Sequence, residues 1–285
     1  MYMVEEYVNA CKFQYRDALE VIEEFGKEIS EMKGKCIDIG CGPGNVTKTL
    51  LLPKLAPEVQ VVGADISKPM VEYARKKCSE EKRLSFICLN AETEDLPNEL
   101  VEQFDNVFSF FCLHWCVNPW RTFNNIWRML RPGGTALTMF LARNDGFDVY
   151  MSLYENPRYR PYMQDVDCFV PYYHRCKDQR SSLRRILEHT GFEVLHCSKR
   201  ERSYIFQNEQ SLINHQLAVN PFINRFPEEL REEFLEDLTQ GLLRRKILFR
   251  RDTDCDQRGY RILDVYDILV AHVRKPLEEA CHEDR

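Results

Sequence analysis

The chain has 285 residues, 44% of them hydrophobic, which suits one large α/β domain with a sizeable core. A formal net charge of −6 and the lack of any basic stripe argue against a nucleic-acid partner. No apolar run approaches the ~18 residues of a membrane span. The N-terminus has no basic signal segment, and the twelve cysteines form no C-x-x-C pair, so they read as free thiols in a reducing, cytoplasmic compartment. The Cys/His spacings fit no usual zinc pattern, so no metal is expected.

In chain order, residues 5–31 carry Tyr7, Ala10, Cys11, Tyr15, Ala18, Leu19, Ile22 and Phe25 at helical spacing, an amphipathic helical region. Strand and helix then alternate. "KCIDIGC" is a strand and "NVTKTLLLPKL" a helix. "VQVVGADI" is a strand, "PMVEYARKKC" a helix with Pro69 near its first turn, and "LSFICLNA" and "FDNVFSFFCL" are two further strands. "TFNNIWRML" is a helix closed by "RPGG", and "TALTMFL" a fifth strand. Residues 143–180 are rich in Tyr, Pro, Asp and Arg without clean periodicity. "SLRRILEHTGFEVLHCSK" reads as helix, turn and strand, "PEELREEFLEDLTQGLLRRKILF" as helical, and "RILDVYDILVAHV" as the last strand. Continuous apolar strands alternating with helices predict a mostly parallel sheet covered on both faces.

The most informative stretch is "KCIDIGCGPGNVTKTL". Gly40, Gly42 and Gly44 lie between a buried strand and a helix, where glycines allow a sharp turn and close approach to a ligand. The spacing G-x-G-x-G departs from the dinucleotide fingerprint G-x-G-x-x-G, and the Gly-Lys-Ser/Thr of a P-loop is absent. Asp38 sits poorly beside a pyrophosphate and well beside a cationic ligand.

D-x-G-x-G-x-G after a first strand resembles motif I of class I S-adenosylmethionine-dependent methyltransferases. Three later landmarks agree with that resemblance. In the family, an acidic residue closing the second strand takes the ribose hydroxyls, here Asp65, and an apolar neighbour packs on adenine, here Ile66. "CLNAETEDLP" resembles the motif that reads the adenine edge, placing Asn90, Ala91 and Glu92 there, although the family often has Asp at the first of these. "FSFFCLHW" resembles the fourth-strand motif, with a backbone carbonyl near Phe110 meeting the methionine ammonium. The resemblance implies S-adenosylmethionine as cofactor, held by Asp38, Gly40, Cys41, Gly42 and Gly44 together with these residues.

"QYRDALEVIEE", "LHW", "FDVY", "DVDCFVPYY", "NPF" and "FLED" further resemble segments of insect juvenile hormone acid O-methyltransferases, over a span from about Tyr7 to the last strand. That resemblance implies a Rossmann-like fold: a mostly parallel seven-stranded sheet with helical lid insertions in one domain, 1–285. Residues 1–33 are then an N-terminal lid, 34–142 the cofactor-binding core, 143–180 and 207–256 the substrate lids, and 181–206 and 257–276 the C-terminal strands.

It also implies that Gln14 and Trp115 hold the acceptor carboxylate as the catalytic pair. The substrate is then a small apolar carboxylic acid, juvenile hormone acid or farnesoic acid. An apolar tail needs a greasy pocket, which His114, beside Trp115, and the insertion aromatics Phe147, Tyr150, Tyr172 and Phe222 would line. An amide and an indole N–H are neutral donors that orient a carboxylate without quenching it. A carboxylate is already ionised at neutral pH, so placement and a dry pocket matter more than a base. "ENPRYRPYMQ" departs from the family, with arginines and tyrosines where a tryptophan is expected.

Other readings are another small or fatty acid, a phenol or a thiol as acceptor, or a non-catalytic binding protein on the same fold. Nucleic-acid amine methylation is disfavoured, because "FFCL" stands where an Asn/Asp-Pro-Pro-Tyr/Phe motif belongs. Arsenic methylation is disfavoured by the cysteine arrangement. A homodimer is left open.

Overall fold

The computed structural model describes residues 4–250 and 260–277; the junction between the expected segments 207–256 and 257–276 therefore falls outside the described residues. Three helices open the chain: α1 (Val4–Ala10), α2 (Lys12–Glu24) and α3 (Gly26–Glu31). The alternating core follows as β1 (Lys35–Ile39), β2 (Gln60–Asp65), α4 (Lys68–Lys77), β3 (Leu84–Cys88), β4 (Phe104–Phe110), α5 (Pro119–Met129) and β5 (Leu130–Asn144). The second half holds α6 (Asp145–Tyr154), α7 (Gln179–Thr190), β6 (Glu193–Phe206), α8 (Glu209–Val219), α9 (Glu228–Leu243), β7 (Ile247–Phe249) and β8 (Arg261–Arg274). The stretch read as a helix after the glycine turn is a π turn over Thr47–Leu51 running into a 3-10 turn at Leu52–Lys54.

The sheet order is β3-β2-β1-β4-β5-β8-β6, parallel except for β8, which runs antiparallel to both of its neighbours. The expected seven strands form this path. Short β7 adds an eighth by pairing with the start of β8. The order reverses at β1, whose neighbours are β2 on one side and β4 on the other. In open α/β sheets the crevice beyond the strand ends at such a point is the usual ligand site. The Gly40–Gly44 turn leaves β1 there, and Phe111–Trp115 leaves β4 beside it.

Four buried clusters hold the layers together, the smallest packing Val71 and Ala74 of α4 against Phe86 of β3 and Cys41 of the glycine turn. One face of the sheet packs Ile37, Val107 and Phe140 against Phe123 and Ile126 of α5 and Leu183 and Ile186 of α7. The other packs Cys36, Phe108 and Val270 against Ala18, Val21 and Ile22 of α2. Each large apolar side chain so buried contributes roughly 1.5–3 kcal/mol relative to exposure. The third cluster is the insertion itself, where α6, α8 and α9 enclose Tyr159, Phe222, Phe226 and Phe234.

A buried carboxylate pins α2 to the sheet. Asp17 is fully buried and accepts from Tyr266 Oη at 2.6 Å, Arg16 Nη2 at 2.7 Å and Arg202 Nη2 at 3.3 Å. Tyr266 lies on β8 and Arg202 on β6, so the helix is tied to both C-terminal strands. Gln14 stands three residues earlier on the same helix.

Candidate active site

Two cavities meet at Gln14. The larger, about 400 Å³, is lined by Asp38, the Gly40–Pro43 turn and Phe110 on the sheet side, and by Tyr7, Cys11 and Gln14 on the helix side. The smaller, about 60 Å³, is lined by Gln14, His114, Trp115, Phe147 and Tyr150, and by His215 and Gln216 of α8. Tyr7, Gln14 and Phe111 border both. Phe111 holds φ at +55°, a strained value for a bulky residue, while its N–H donates to the Met139 carbonyl at 2.8 Å. This bend at the end of β4 brings the ring between the cavities.

The turn is shaped by its glycines. Gly40 has φ +74°, and a Cβ there would meet Cys112 Cβ and Sγ at 2.1 Å, so no larger residue fits. Gly42 has φ +54°, and a Cβ there would meet only the Tyr7 ring, at 4.0 Å. Its backbone thus stands open to a ligand, while its N–H donates to Asp65 Oδ2 at 2.9 Å. Asp65 Oδ1 accepts the Ser67 N–H at 2.8 Å. Burial raises the Asp65 pKa despite these two bonds, which pull it down.

Asp38 is 2% exposed and accepts a 2.6 Å hydrogen bond from Thr47 Oγ1. Burial pushes its pKa up to about 7, with the Thr47 bond opposing and the Asp65 charge adding. A cation brought beside it would draw the proton off.

Of the residues the sequence singled out, Asp38, Gly40, Cys41, Gly42 and Phe110 line the larger cavity. His114, Trp115, Phe147 and Tyr150 line the smaller one, and Gln14 lines both. Gly44, Asp65, Ile66, Asn90, Ala91 and Glu92 are not on either wall. Gly44 packs toward Phe86 and Ala74, and the others lie at or just after the C-terminal ends of β2 and β3. Ile66 is 67% exposed there. Asn90 Oδ1 takes the Glu92 N–H at 3.1 Å, Glu92 Oε2 takes the Asn118 N–H at 3.0 Å, and the Ala91 carbonyl takes Asn125 Nδ2 at 3.0 Å.

Tyr172 and Phe222 are not brought to the cavities either. Tyr172 packs edge-on against Tyr173, and Phe222 is fully buried, at 5.4 Å from Tyr150 and 5.2 Å from Phe169. In the segment that departs from the family, Tyr159 fills the insertion core and donates to Asp237 Oδ2 at 2.7 Å.

Sequence reasoning missed Tyr7, Cys11, Phe111, His215 and Gln216 as wall residues. Tyr7, Cys11, Gln14 and Ala18 recur every three or four residues, so a shared helical face was visible, but it reads equally as core.

Four polar groups of the smaller cavity stand out. Gln14 Oε1, His114 Nδ1, His215 Nδ1 and Gln216 Oε1 are buried without a hydrogen-bond partner. Burial pushes His114 down to about 3, and His215 down to about 4 against a bond to the Ala10 carbonyl that raises it. Both rings are neutral at physiological pH.

Residues 37–138 match the methyltransferase domain family. The juvenile hormone acid O-methyltransferase of Drosophila melanogaster is 33% identical over 95% of this chain and 92% of its own length. That of Bombyx mori is 32% identical over 91% of this chain and 95% of its own. The chain belongs to the juvenile hormone acid O-methyltransferase family. Its sheet also superposes on the phosphoethanolamine N-methyltransferase 2 of Haemonchus contortus, with a TM-score of 0.52, 18% identity and coverage of 92% of this chain and 53% of that one. That structure was solved with phosphomonomethylethanolamine and S-adenosylhomocysteine bound.

Family membership makes the chain a methyltransferase with S-adenosylmethionine as methyl donor, and the larger cavity fits that molecule. Its volume falls in the range of small-ligand sites, roughly 300–1,000 Å³. The bare Gly42 backbone offers close approach, buried Asp38 offers a carboxylate to a cation, and Asp65 closes the neighbouring strand.

Proposed function

We propose that the protein methylates the carboxylate of a small apolar acid, an isoprenoid acid such as farnesoic acid or juvenile hormone acid. S-adenosylmethionine, when bound, supplies a methyl group on a positively charged sulfur. Under this reading Asp38, Gly40, Cys41, Gly42 and Phe110 hold it from the sheet side, and Asp65 and Ile66 from the end of β2. Gln14 and Trp115 orient the acceptor carboxylate where the two cavities meet.

The observation that carries the reading is the similarity, over nearly the whole chain, to two juvenile hormone acid O-methyltransferases, and the weakness of the bases in the smaller cavity supports it. A phenol gives up its proton near pH ~10 and a thiol near ~8.5, whereas a carboxylic acid has done so by ~4–4.5. His114 at about 3 and His215 at about 4 are far too weak to take a proton from a phenol or thiol. A nucleophile that arrives ionised needs neither. The residues then have to place it and keep water out, and the Phe13, Phe111, Trp115, Leu141 and Phe147 side chains of the smaller cavity do the latter.

The smaller cavity is too small for a whole tail. At about 60 Å³ it has room for about two waters. The identity of the two relatives supports an isoprenoid acid over a straight-chain one.

The test incubates the protein with labelled S-adenosylmethionine and a panel of isoprenoid, straight-chain and aromatic acids, phenols and thiols, and identifies products by mass. Methyl esters are expected, fastest from isoprenoid acids. Ethers or thioethers without esters would overturn the reading.

A further inference from the structure

α8 gives the smaller cavity two adjacent polar side chains, His215 and Gln216, 7% and 8% exposed. Each has a buried atom with no hydrogen-bond partner, Nδ1 of His215 and Oε1 of Gln216. Leaving such atoms unpaired is costly, so their retention in an otherwise aromatic wall calls for a ligand group.

Their polarity says which group. A neutral imidazole has one N–H and one lone pair. With the proton of the neutral His215 ring on Nε2, the unpartnered Nδ1 is an acceptor. Oε1 of Gln216 is an acceptor as well. Asp264, 6% exposed, borders the same cavity and accepts from Lys246 Nζ and, at 3.2 Å, from Asn144 Nδ2. This wall therefore presents acceptors, which repel a carboxylate and attract a donor. It is also set apart from His114: the ring contacts run His215–Phe13 at 5.0 Å, Phe13–Phe111 at 5.7 Å and Phe111–His114 at 6.4 Å.

We propose that His215, Gln216 and Asp264 form a second subsite in the acceptor cavity, one that takes a hydroxyl group on the tail of the acid and thereby turns its carboxylate toward Gln14. The proposal rests on the carboxyl-methyltransferase reading and deepens it. A plain hydrocarbon tail leaves both α8 acceptors buried and unpaired. A hydroxyl at the right position gives one of them its donor.

The experiment compares kcat/KM for medium-length straight-chain acids with hydroxy acids of the same length, the hydroxyl being stepped along the tail. At one position the hydroxy acid should be favoured about tenfold or more. His215→Phe and Gln216→Leu should each bring that ratio toward one without changing the affinity for S-adenosylmethionine. A wild-type ratio near one at every position overturns the subsite, and so does a ratio that survives both substitutions in folded variants. The wild-type series decides even if a variant does not fold. If neither these acids nor the isoprenoid acids yield an ester, the carboxyl-methyltransferase reading fails instead. The subsite is then tested by thermal stabilisation in the presence of S-adenosylhomocysteine: greater stabilisation by a hydroxy acid than by its plain counterpart supports it, and equal stabilisation overturns it.

Discussion

The two cavities that meet at Gln14 are made from different materials. The larger takes most of its sheet-side wall from one stretch of chain, Asp38 to Val46, with the glycine turn at its centre and Phe110 and Phe111 beside it. The smaller draws on residues 7, 13–14, 111–115, 141–150, 215–219 and 264, six separate parts of the chain. A backbone site needs particular dihedral angles, and only certain residues supply them at fixed spacing. A side-chain site needs only volume and polarity in the right place, and many sequences supply those. The contrast fits a donor molecule common to the fold and an acceptor that differs from one methyltransferase to another.

The sharpest way to break that comparison is at the donor side. Asp65 anchors the turn through the Gly42 N–H and, in the proposed role, receives the ribose hydroxyls. Asp65→Ala should weaken S-adenosylmethionine binding by about a hundredfold or more, the scale of two charge-assisted hydrogen bonds. Calorimetric titration measures it, and near-normal affinity would remove Asp65 from the site.

Gln14→Ala is the counterpart on the acceptor side. Gln14 stands on the helix side of the cavities, and among the described residues no hydrogen bond ties its side chain to the turn, so cofactor affinity should hold while kcat/KM for the acid falls ~10- to 100-fold. A matched loss of cofactor affinity would mean that Gln14 serves the larger cavity, and the division between backbone and side-chain sites would blur.

The same division explains what was legible in the sequence. Gly40, Gly42, Asp38 and the alternation of strand and helix around them follow from local pattern: continuous apolar strands and a turn that only glycine can make. The insertion was harder to read. α6 buries Phe147, Val149, Tyr150 and Leu153 on more than one side, so no helical stripe shows. α8 buries His215 and Gln216 together with Leu212 and Ala218, and polar residues facing inward erase the apolar period. β7 spans only Ile247–Phe249, shorter than any strand signal, and exists because β8 offers it an edge. Tyr172 and Phe222 were read as pocket residues from their aromaticity, but bulk alone cannot tell a wall from the packing behind it. Phe111 gave no signal at all, since its positive φ is imposed by the bend after β4.

A smaller effect sharpens the electrostatics of the donor cavity. The folded-state pKa of Asp38 is about 7, raised from the usual 3.8. The stability tied to its neutral form is complete below the usual value and is lost as pH rises through about 7. The ligand-free protein should therefore lose stability on this account between those limits. A cationic ligand prefers the ionised carboxylate, so its affinity should fall about tenfold for each pH unit below 7. Asp38→Asn should raise the Tm of the ligand-free protein at about pH 8, weaken cofactor binding and flatten that pH dependence. An unchanged pH dependence in the variant would assign the titration to another group.

The smallest expected effect separates an ionised acceptor from one that must be deprotonated. His114 is the acceptor-cavity imidazole beside Trp115, with ring centroids 4.7 Å apart, and burial holds its pKa down to about 3. His114→Phe keeps a ring against Phe111 and Trp115 and removes the orphaned Nδ1. A general base contributes ~10²- to 10⁴-fold, so losing one would collapse turnover and abolish its pH dependence. An acceptor that arrives as a carboxylate loses only positioning. Turnover of the acid should then fall less than about tenfold, with the shape of the rate profile above pH ~5 preserved, because neither His114 nor the acid changes protonation there. Steady-state rates of the two proteins across that range distinguish the cases. A collapse of a hundredfold in a variant that still melts cooperatively and still binds the cofactor would mean that the imidazole takes a proton from the acceptor, and the smaller cavity would then have to be re-read as a site for a phenol or thiol.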